Sequence, residues 1–361
     1  MTELVRDGVV ETQYWQTLDD DRVQCDLCPR HCRMHEGQRG LCYVRGVEDG
    51  RLRLFSYGRS SGFCIDPIEK KPLAHFLPGS AVLSFGTAGC NLACKFCQNW
   101  DMSKSREMDR LMDAASPEAL ADAAARLGCR SVAFTYNDPV IFHEYAIDVA
   151  KACHERDVQA VAVTAGWICD APRREFFAHM DAANVDLKGF TERFYLKVCG
   201  AHLADVLDTL QYLHDETDVW FELTTLLIPG ENDSPQELEA MTRWVVDHLG
   251  RDVPMHFTAF HPDWKMRDVP PTPIETLQRA RRIALDAGVR YAYTGNVRDP
   301  EGSSTWCAHC GALLIERDGY ELGRWHLDGQ SCCRDCGTPV AGRFEAEPEH
   351  FGARRVPVRF S

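Results

Sequence analysis

Gly89-Cys90-Asn-Leu-Ala-Cys94-Lys-Phe-Cys97-Gln-Asn-Trp100 places three thiols within eight residues. If the loop curls, all three face one point, which suits a cubane iron–sulfur cluster and its need for soft anionic ligands. Three ligands leave one iron open, whereas an electron-carrying 4Fe-4S centre normally takes four cysteines. On spacing alone, a zinc site completed elsewhere or chance clustering competes with this reading.

Two further cysteine groups flank the loop. Cys307-Ala-His-Cys310-Gly and Cys333-Arg-Asp-Cys336-Gly form two knuckles separated by 22 residues. This is zinc-ribbon spacing, and four thiolates would close a tetrahedral structural zinc site. Rubredoxin-like iron uses the same ligand set, and Cys332 could substitute for Cys333. Near the front, Cys25, Cys28, Cys32 and Cys42 lie within 18 residues, with His31 and His35 close by. Their spacing fits neither a ribbon nor a bacterial ferredoxin run, so zinc and an auxiliary iron–sulfur cluster both stay open. Cys129, Cys153, Cys169 and Cys199 fall in apolar periodic segments and read as core.

Elements that could position the central loop alternate from about residue 81 to 297. Strands are expected at Ala81 to Gly86, Ser131 to Tyr136, Ala160 to Ala165, Ala183 to Lys188, Trp220 to Ile228, Met255 to Phe260 and Tyr291 to Thr294. Helix starts are expected at Ser116-Pro117 and at two capping boxes, Ser234-Pro-Gln-Glu237 and Thr272-Pro-Ile-Glu275. Repeated β-α units imply an α/β fold with a parallel sheet, either doubly wound or a partial or full barrel. Asn137-Asp138-Pro139, Gly166-Trp167, Gly189, His261-Pro262 and Gly295-Asn296 all follow strands, at the edge that carries active sites in such folds. Turns need the same residue types, so the bland reading stands beside the functional one.

Composition narrows the classes of function. Forty Lys and Arg against 54 Asp and Glu leave a net charge of -14, which argues against nucleic acid as a partner. No apolar run reaches the 18 or so residues of a membrane span, and the start lacks the basic-then-apolar order of a signal peptide. A cytoplasmic protein without a membrane partner is therefore expected, and in reducing cytosol its 17 cysteines read as metal ligands before disulfides.

The central motif resembles the radical S-adenosylmethionine (SAM) superfamily, whose hallmark is Cys-x3-Cys-x2-Cys after the first barrel strand, with an aromatic residue where Phe96 stands. The resemblance implies a 4Fe-4S cluster on Cys90, Cys94 and Cys97, SAM chelated at the open iron, and a 5'-deoxyadenosyl radical that abstracts a substrate hydrogen. A closer resemblance rests on Asp66-Pro-Ile-Glu-Lys-Lys-Pro-Leu-Ala-His75-Phe-Leu-Pro-Gly79, Gln98-Asn99-Trp100, Thr135-Tyr-Asn-Asp-Pro139, Asp186-Leu-Lys188 and Tyr293-Thr-Gly-Asn296. These are similar to AmmeMemoRadiSam system radical SAM enzymes, relatives of the pyruvate formate-lyase activating enzyme.

Several site residues follow from that resemblance. Asn137 and Asp138 would face the methionine amino group, although Asp138 also suits an Asx turn before Pro139. Asp186 would help hold a cation near the SAM carboxylate, with Lys188 in the same cavity; a structural salt bridge competes. Thr164 and His261 would lie beside the cofactor, while Thr224 stands where activating enzymes carry a ribose-binding Arg.

The organisation expected is an N-terminal Cys-rich segment over 1–75, a radical SAM core over 76–300 and a zinc-ribbon-like domain over 301–361. An electron donor of flavodoxin or ferredoxin type, and AMMECR-type and Memo-like proteins, are the partners implied. Glycyl-radical activation is the alternative enzyme function. A metal-binding electron-transfer or adaptor protein is the alternative of another class, against which stand the polar residues on successive strand ends.

Overall fold

The computed structural model describes residues 4–6, 8–104 and 113–360. The first three residues of the expected Cys-rich segment lie outside the described residues. A ten-stranded sheet forms the centre. In it β1 (Arg59–Pro67) runs antiparallel to β2 (Ala81–Gly86). From β2 the sheet continues parallel and in chain order through β3 (Ser131–Phe134), β4 (Gln159–Thr164), β5 (Ala182–Asp186), β6 (Trp220–Leu227), β7 (Met255–Ala259) and β8 (Ala292–Gly295).

These parallel strands sit at the positions expected, with ends shifted by up to two residues. They were legible because their side chains are apolar on both faces, as burial between layers requires: every residue of β2, β3 and β7 is buried. One helix of eight or more residues lies between each consecutive pair: α1 (Pro117–Arg126), α2 (His143–His154), α3 (Asp170–Phe177), α4 (Leu203–Glu216), α5 (Pro235–Leu249) and α6 (Ile274–Ala287). Right-handed crossovers to the adjacent strand, repeated in one direction, keep the helices on one face and curl the sheet. Among the described residues no ladder joins β8 to β1 or β2, so the barrel is partial rather than full.

The helix starts divide. Ser116 caps α1 by accepting from Ala119 N, and Ser234 caps α5 by accepting from Glu237 N. The box at Ser234 is only half made, because the Glu237 carboxylate takes the Phe190 N–H at 2.6 Å. Thr272 is a correction. Pro273 precedes α6, and the Thr272 hydroxyl is spent on Leu227 O and Phe260 N, tying the ends of β6 and β7 together.

The sheet also crosses the expected boundaries. β1 comes from before residue 76, and Val356–Pro357 returns from the far end of the chain to pair with it, so breaks at 75/76 and 300/301 do not divide the sheet. The N-terminal residues add two small antiparallel sheets, one with Val23–Cys25 at its centre. Thr305–Trp306 joins β9 (Leu313–Asp318) and β10 (Glu321–Trp325) in a three-stranded sheet beside β8.

Candidate active site

The cysteine loop leaves β2 at its carboxyl end and is pinned on several sides. Ala93 N donates to Cys199 O at 2.8 Å and Lys95 N to Val198 O at 2.9 Å, so the segment Tyr195–Cys199 cradles it. The side chain of Asn91 donates to Trp167 O at 3.1 Å, and Lys104 Nζ donates to Leu92 O at 2.7 Å. Gly89 has a φ of 87°, and a Cβ there would come within 1.9 Å of the Cys42 carbonyl oxygen, so only glycine fits.

Cys90, Cys94 and Cys97 line one cavity of about 310 Å³ with Phe96, Asn137, Asp138, Asp186, Lys188 and Thr224. The three thiols are not alike. Burial pushes Cys90 up to about 12, with the Asp138 carboxylate adding to it. A hydrogen bond with Cys199, helped by Lys188 and Lys104, overcomes burial and brings Cys94 down to about 7. Cys199, read from the sequence as ordinary core, is thus a neighbour of the loop.

The polar residues on the strand ends divide their attention between this cavity and their own backbone. Asn137 is occupied by the loop, its Nδ2 donating to Gly89 O at 2.7 Å and its Oδ1 accepting from Thr87 N at 3.2 Å. Asp138 makes the Asx turn with Val140 N at 3.1 Å and also accepts from Thr164 Oγ1 at 2.9 Å and Ala165 N at 3.1 Å. Burial raises its carboxyl to about 6 despite these three donors. Thr164 therefore serves Asp138. Lys188 Nζ and Asp186 Oδ2 form an ion pair at 2.6 Å in the cavity wall. Burial opposes the Lys188 charge, but Asp186 and the nearby thiols outweigh it and hold the ammonium well above its ordinary range. Phe96 stacks on Phe194 with ring centroids 6.1 Å apart.

Tyr136 holds a left-handed backbone, φ 70°, at the cavity edge, a conformation that costs a non-glycine residue about 1–2 kcal/mol. Asn99 secures it by donating to Tyr136 O at 2.9 Å.

Two residues that line the cavity carry a buried polar atom with no partner among the described residues: the Thr224 hydroxyl and the Gln98 amide nitrogen. Such orphans cost free energy unless something else bonds them. Three thiols, an ammonium–carboxylate pair and two free polar groups around one cavity fit a thiolate-held cluster with a polar, SAM-sized molecule beside it.

His261 is a correction. It is exposed and does not line the cavity. The histidine facing inward is His256 on β7, whose Nε2 donates to Glu222 Oε2 at 2.6 Å. Glu222 also accepts from the backbone N–H groups of Ala74 and His75. His75, pushed down to about 4 by burial, accepts from the Tyr293 hydroxyl at 2.5 Å. Tyr293 in turn meets Thr305, and Arg317 donates to Thr305 and to Ala74 O. Residues from 66–79 and 293–296, distant in sequence, thus meet at the seam with the C-terminal sheet. A second cavity of about 480 Å³ opens along this seam and shares Lys70, Pro72, Thr258 and Asn296 with the first. The sequence signal for Glu222 and His256 was a titratable residue inside an otherwise apolar strand.

At the far end, Cys307, Cys310, Cys333 and Cys336 bring their sulfurs within 4.8 Å of one another. Contacts of 3.6 Å between Cys307 and Cys336 and 3.7 Å between Cys310 and Cys333 match the roughly 3.8 Å expected between thiolates around a tetrahedral ion at about 2.3 Å. Cys332 points its thiol to Gln330 O instead. Cys25, Cys28, Cys32 and Cys42 line a narrow apolar cavity of their own, while His31 turns to Asp26.

Residues 85–245 match the family model of the Radical SAM superfamily. Over 331 residues the chain is 40% identical to an uncharacterized protein of Methanocaldococcus jannaschii, a match covering 91% of this chain and 98% of the relative. Among solved structures it is similar to a domain of pyruvate-formate lyase-activating enzyme from Bacteroides vulgatus, at 19% identity and a TM-score of 0.41 over 46% of this chain and 98% of that one. It is also similar to a radical SAM methyltransferase from Sphaerobacter thermophilus, at 17% identity and a TM-score of 0.48 over 61% of this chain and 67% of the other.

Proposed function

We propose that the chain, which belongs to the radical SAM superfamily, reductively cleaves SAM at a 4Fe-4S cluster held by Cys90, Cys94 and Cys97 and abstracts hydrogen from a substrate. When bound, the cluster and SAM supply one electron and a 5'-deoxyadenosyl radical. The chain's own residues bind, orient and exclude water. Asn137 sets the curl of the loop, Asp138 holds the ends of β3 and β4 together through Thr164 and Ala165, and Phe96 walls the cavity. The Asp186–Lys188 pair presents charge to the amino-acid end of SAM, and the free Thr224 hydroxyl takes a hydroxyl or ether oxygen of the ribose. The second cavity, which shares Lys70 and Asn296 with the first, receives the substrate.

The observation that carries this reading is that Thr224 and Gln98, each with a polar atom unbonded among the described residues, line the same cavity as the three thiols. The finer assignment proposed is the AmmeMemoRadiSam group, supported by the meeting of His75 and Tyr293. With it come, as proposals, a cytoplasmic setting, a flavodoxin or ferredoxin as electron donor, AMMECR-type and Memo-like partners, and zinc on the C-terminal four cysteines. The experiment is anaerobic reconstitution followed by reductant and SAM. Slow formation of 5'-deoxyadenosine and methionine without substrate is expected, because the three-cysteine loop leaves one iron open. An intact cluster that yields no 5'-deoxyadenosine would defeat the proposal.

A further inference from the structure

The two four-cysteine groups differ in geometry. Among the described residues, only the C-terminal four form a set of three or more candidate ligands whose donor atoms all lie within 4.8 Å of one another. That is the spacing of sulfurs around a single ion. Cys25, Cys28, Cys32 and Cys42 converge on one cavity without closing to that distance. The cavity that these residues line has a volume of about 20 Å³. Cys90, Cys94 and Cys97 also share a cavity more loosely than the single-ion set. A cubane puts each thiolate on a different iron, so its sulfurs stand farther apart than those around one ion.

The surroundings narrow the choice further. Leu27, Met34, Val140 and Ile141 make the cavity wall almost wholly apolar. Its two charged groups are already bonded, Arg45 to Glu144 and to Ile141 O, and Arg30 to Asn91 O and Gly200 O. Neither histidine of the segment lines the cavity, so the available ligands are the four thiols alone. Four thiols on a small, mostly apolar cavity, two of the cysteines buried and two partly exposed, suit a closed cluster with no position for a substrate.

We propose that Cys25, Cys28, Cys32 and Cys42 hold a second, auxiliary 4Fe-4S cluster rather than zinc. It lies on the opposite side of the loop that carries Cys90. Asn91 lines the N-terminal cavity and Cys90 the central one, so consecutive residues, with Cα atoms about 3.8 Å apart, face the two sites. Gly89 packs directly on the Cys42 carbonyl. The assignment does not depend on the radical chemistry.

The test uses the full chain with Cys90, Cys94 and Cys97 all replaced by Ala, reconstituted anaerobically with iron and sulfide and freed of loosely bound metal. About four irons and four sulfides per chain are expected to remain, with an EPR signal after dithionite that SAM does not alter. A further Cys32→Ser/Cys42→Ser change should remove that iron; if this variant does not fold, the triple variant still decides. Iron without sulfide, two irons per chain, two zinc ions, or no iron at all in the triple variant would each overturn the cubane assignment. Failure of the radical SAM proposal would show separately, as wild-type protein with a full iron complement that cannot cleave SAM.

Discussion

The side-chain amide of Asn137 donates to the carbonyl of Gly89 at 2.7 Å, so the end of β3 sets the curl of the cysteine loop that leaves β2. The same amide accepts from Thr87 N, giving one side chain a grip on both ends of the turn. It joins the strand-end position that a cofactor contact would occupy to the residue immediately before Cys90.

Asn137→Ala should therefore act first on the cluster. Two hydrogen bonds lost in a buried setting cost about 1–3 kcal/mol in local stability, enough for roughly a tenfold rise in loop opening. Iron released to a chelator under anaerobic conditions should speed up accordingly, and Asn137→Asp, which keeps the acceptor and loses the donor, should fall between. Unchanged iron retention together with weakened SAM binding would restore Asn137 to direct contact with the cosubstrate.

Thr224→Val tests the unbonded hydroxyl. Among the described residues it has no partner, so its removal leaves no orphan, and the apo protein should unfold at the same denaturant concentration or a slightly higher one. SAM affinity should fall by about tenfold, the value of one hydrogen bond to a neutral group, about 1–1.5 kcal/mol. Isothermal titration on the reconstituted protein would measure it. Equal affinity in both proteins would place the ribose elsewhere.

The Asp186–Lys188 pair separates structure from binding. Asp186→Ala leaves the Lys188 ammonium, largely buried, without its partner, and should destabilise the fold by about 3 kcal/mol or more. Replacing both, as Asp186→Leu with Lys188→Met, should recover most of that stability by removing both charges. It should not recover SAM cleavage. A double variant that folds, keeps its iron and still produces 5'-deoxyadenosine at the wild-type rate would reduce the pair to a structural salt bridge.

How legible this site was depends on how local each interaction is. The seven parallel strands could be read because both faces are apolar. β1 could not, since Gly62 at φ 73° and a register shift between Ser61 and Cys64 break its period. Asn137 could be placed but not partnered, and Asp138 was partnered only in its Asx turn and not with Thr164 and Ala165: short polar side chains bond the nearest free N–H or carbonyl, and which of these is near depends on the turn. His261 beside a strand end looked like a site residue, yet it is exposed and stands off the cavity, which the residue type alone does not tell. The Glu222–His256 contact needed the alignment of β6 with β7, which pairs Thr224 with His256 and sets Glu222 diagonally across, and no sequence pattern states a register.

Removing the C-terminal metal should loosen a seam far from the cluster loop. Four thiols within 4.8 Å of one another repel as thiolates when no cation joins them, and the small sheet of β9 and β10 has little apolar core with which to compensate. That sheet carries Arg317, whose guanidinium reaches Ala74 O and Thr305, and through Thr305 the hydroxyl of Tyr293 and the ring of His75. In the Cys307→Ala protein, one equivalent of zinc should be lost. Hydrogen exchange should speed up in residues 305–336 and, to a smaller degree, around 74–76 and 291–295. The central loop is held by Asn137, Cys199 and Val198, none of them in this network, so its iron content and slow uncoupled SAM cleavage should persist. Substrate turnover should fall more than uncoupled cleavage, because the second cavity is built on Arg317, Tyr293 and His256. Wild-type exchange at 74–76 in the zinc-free variant would show that the seam holds without the metal, and equal losses in coupled and uncoupled reactions would move the substrate out of the second cavity.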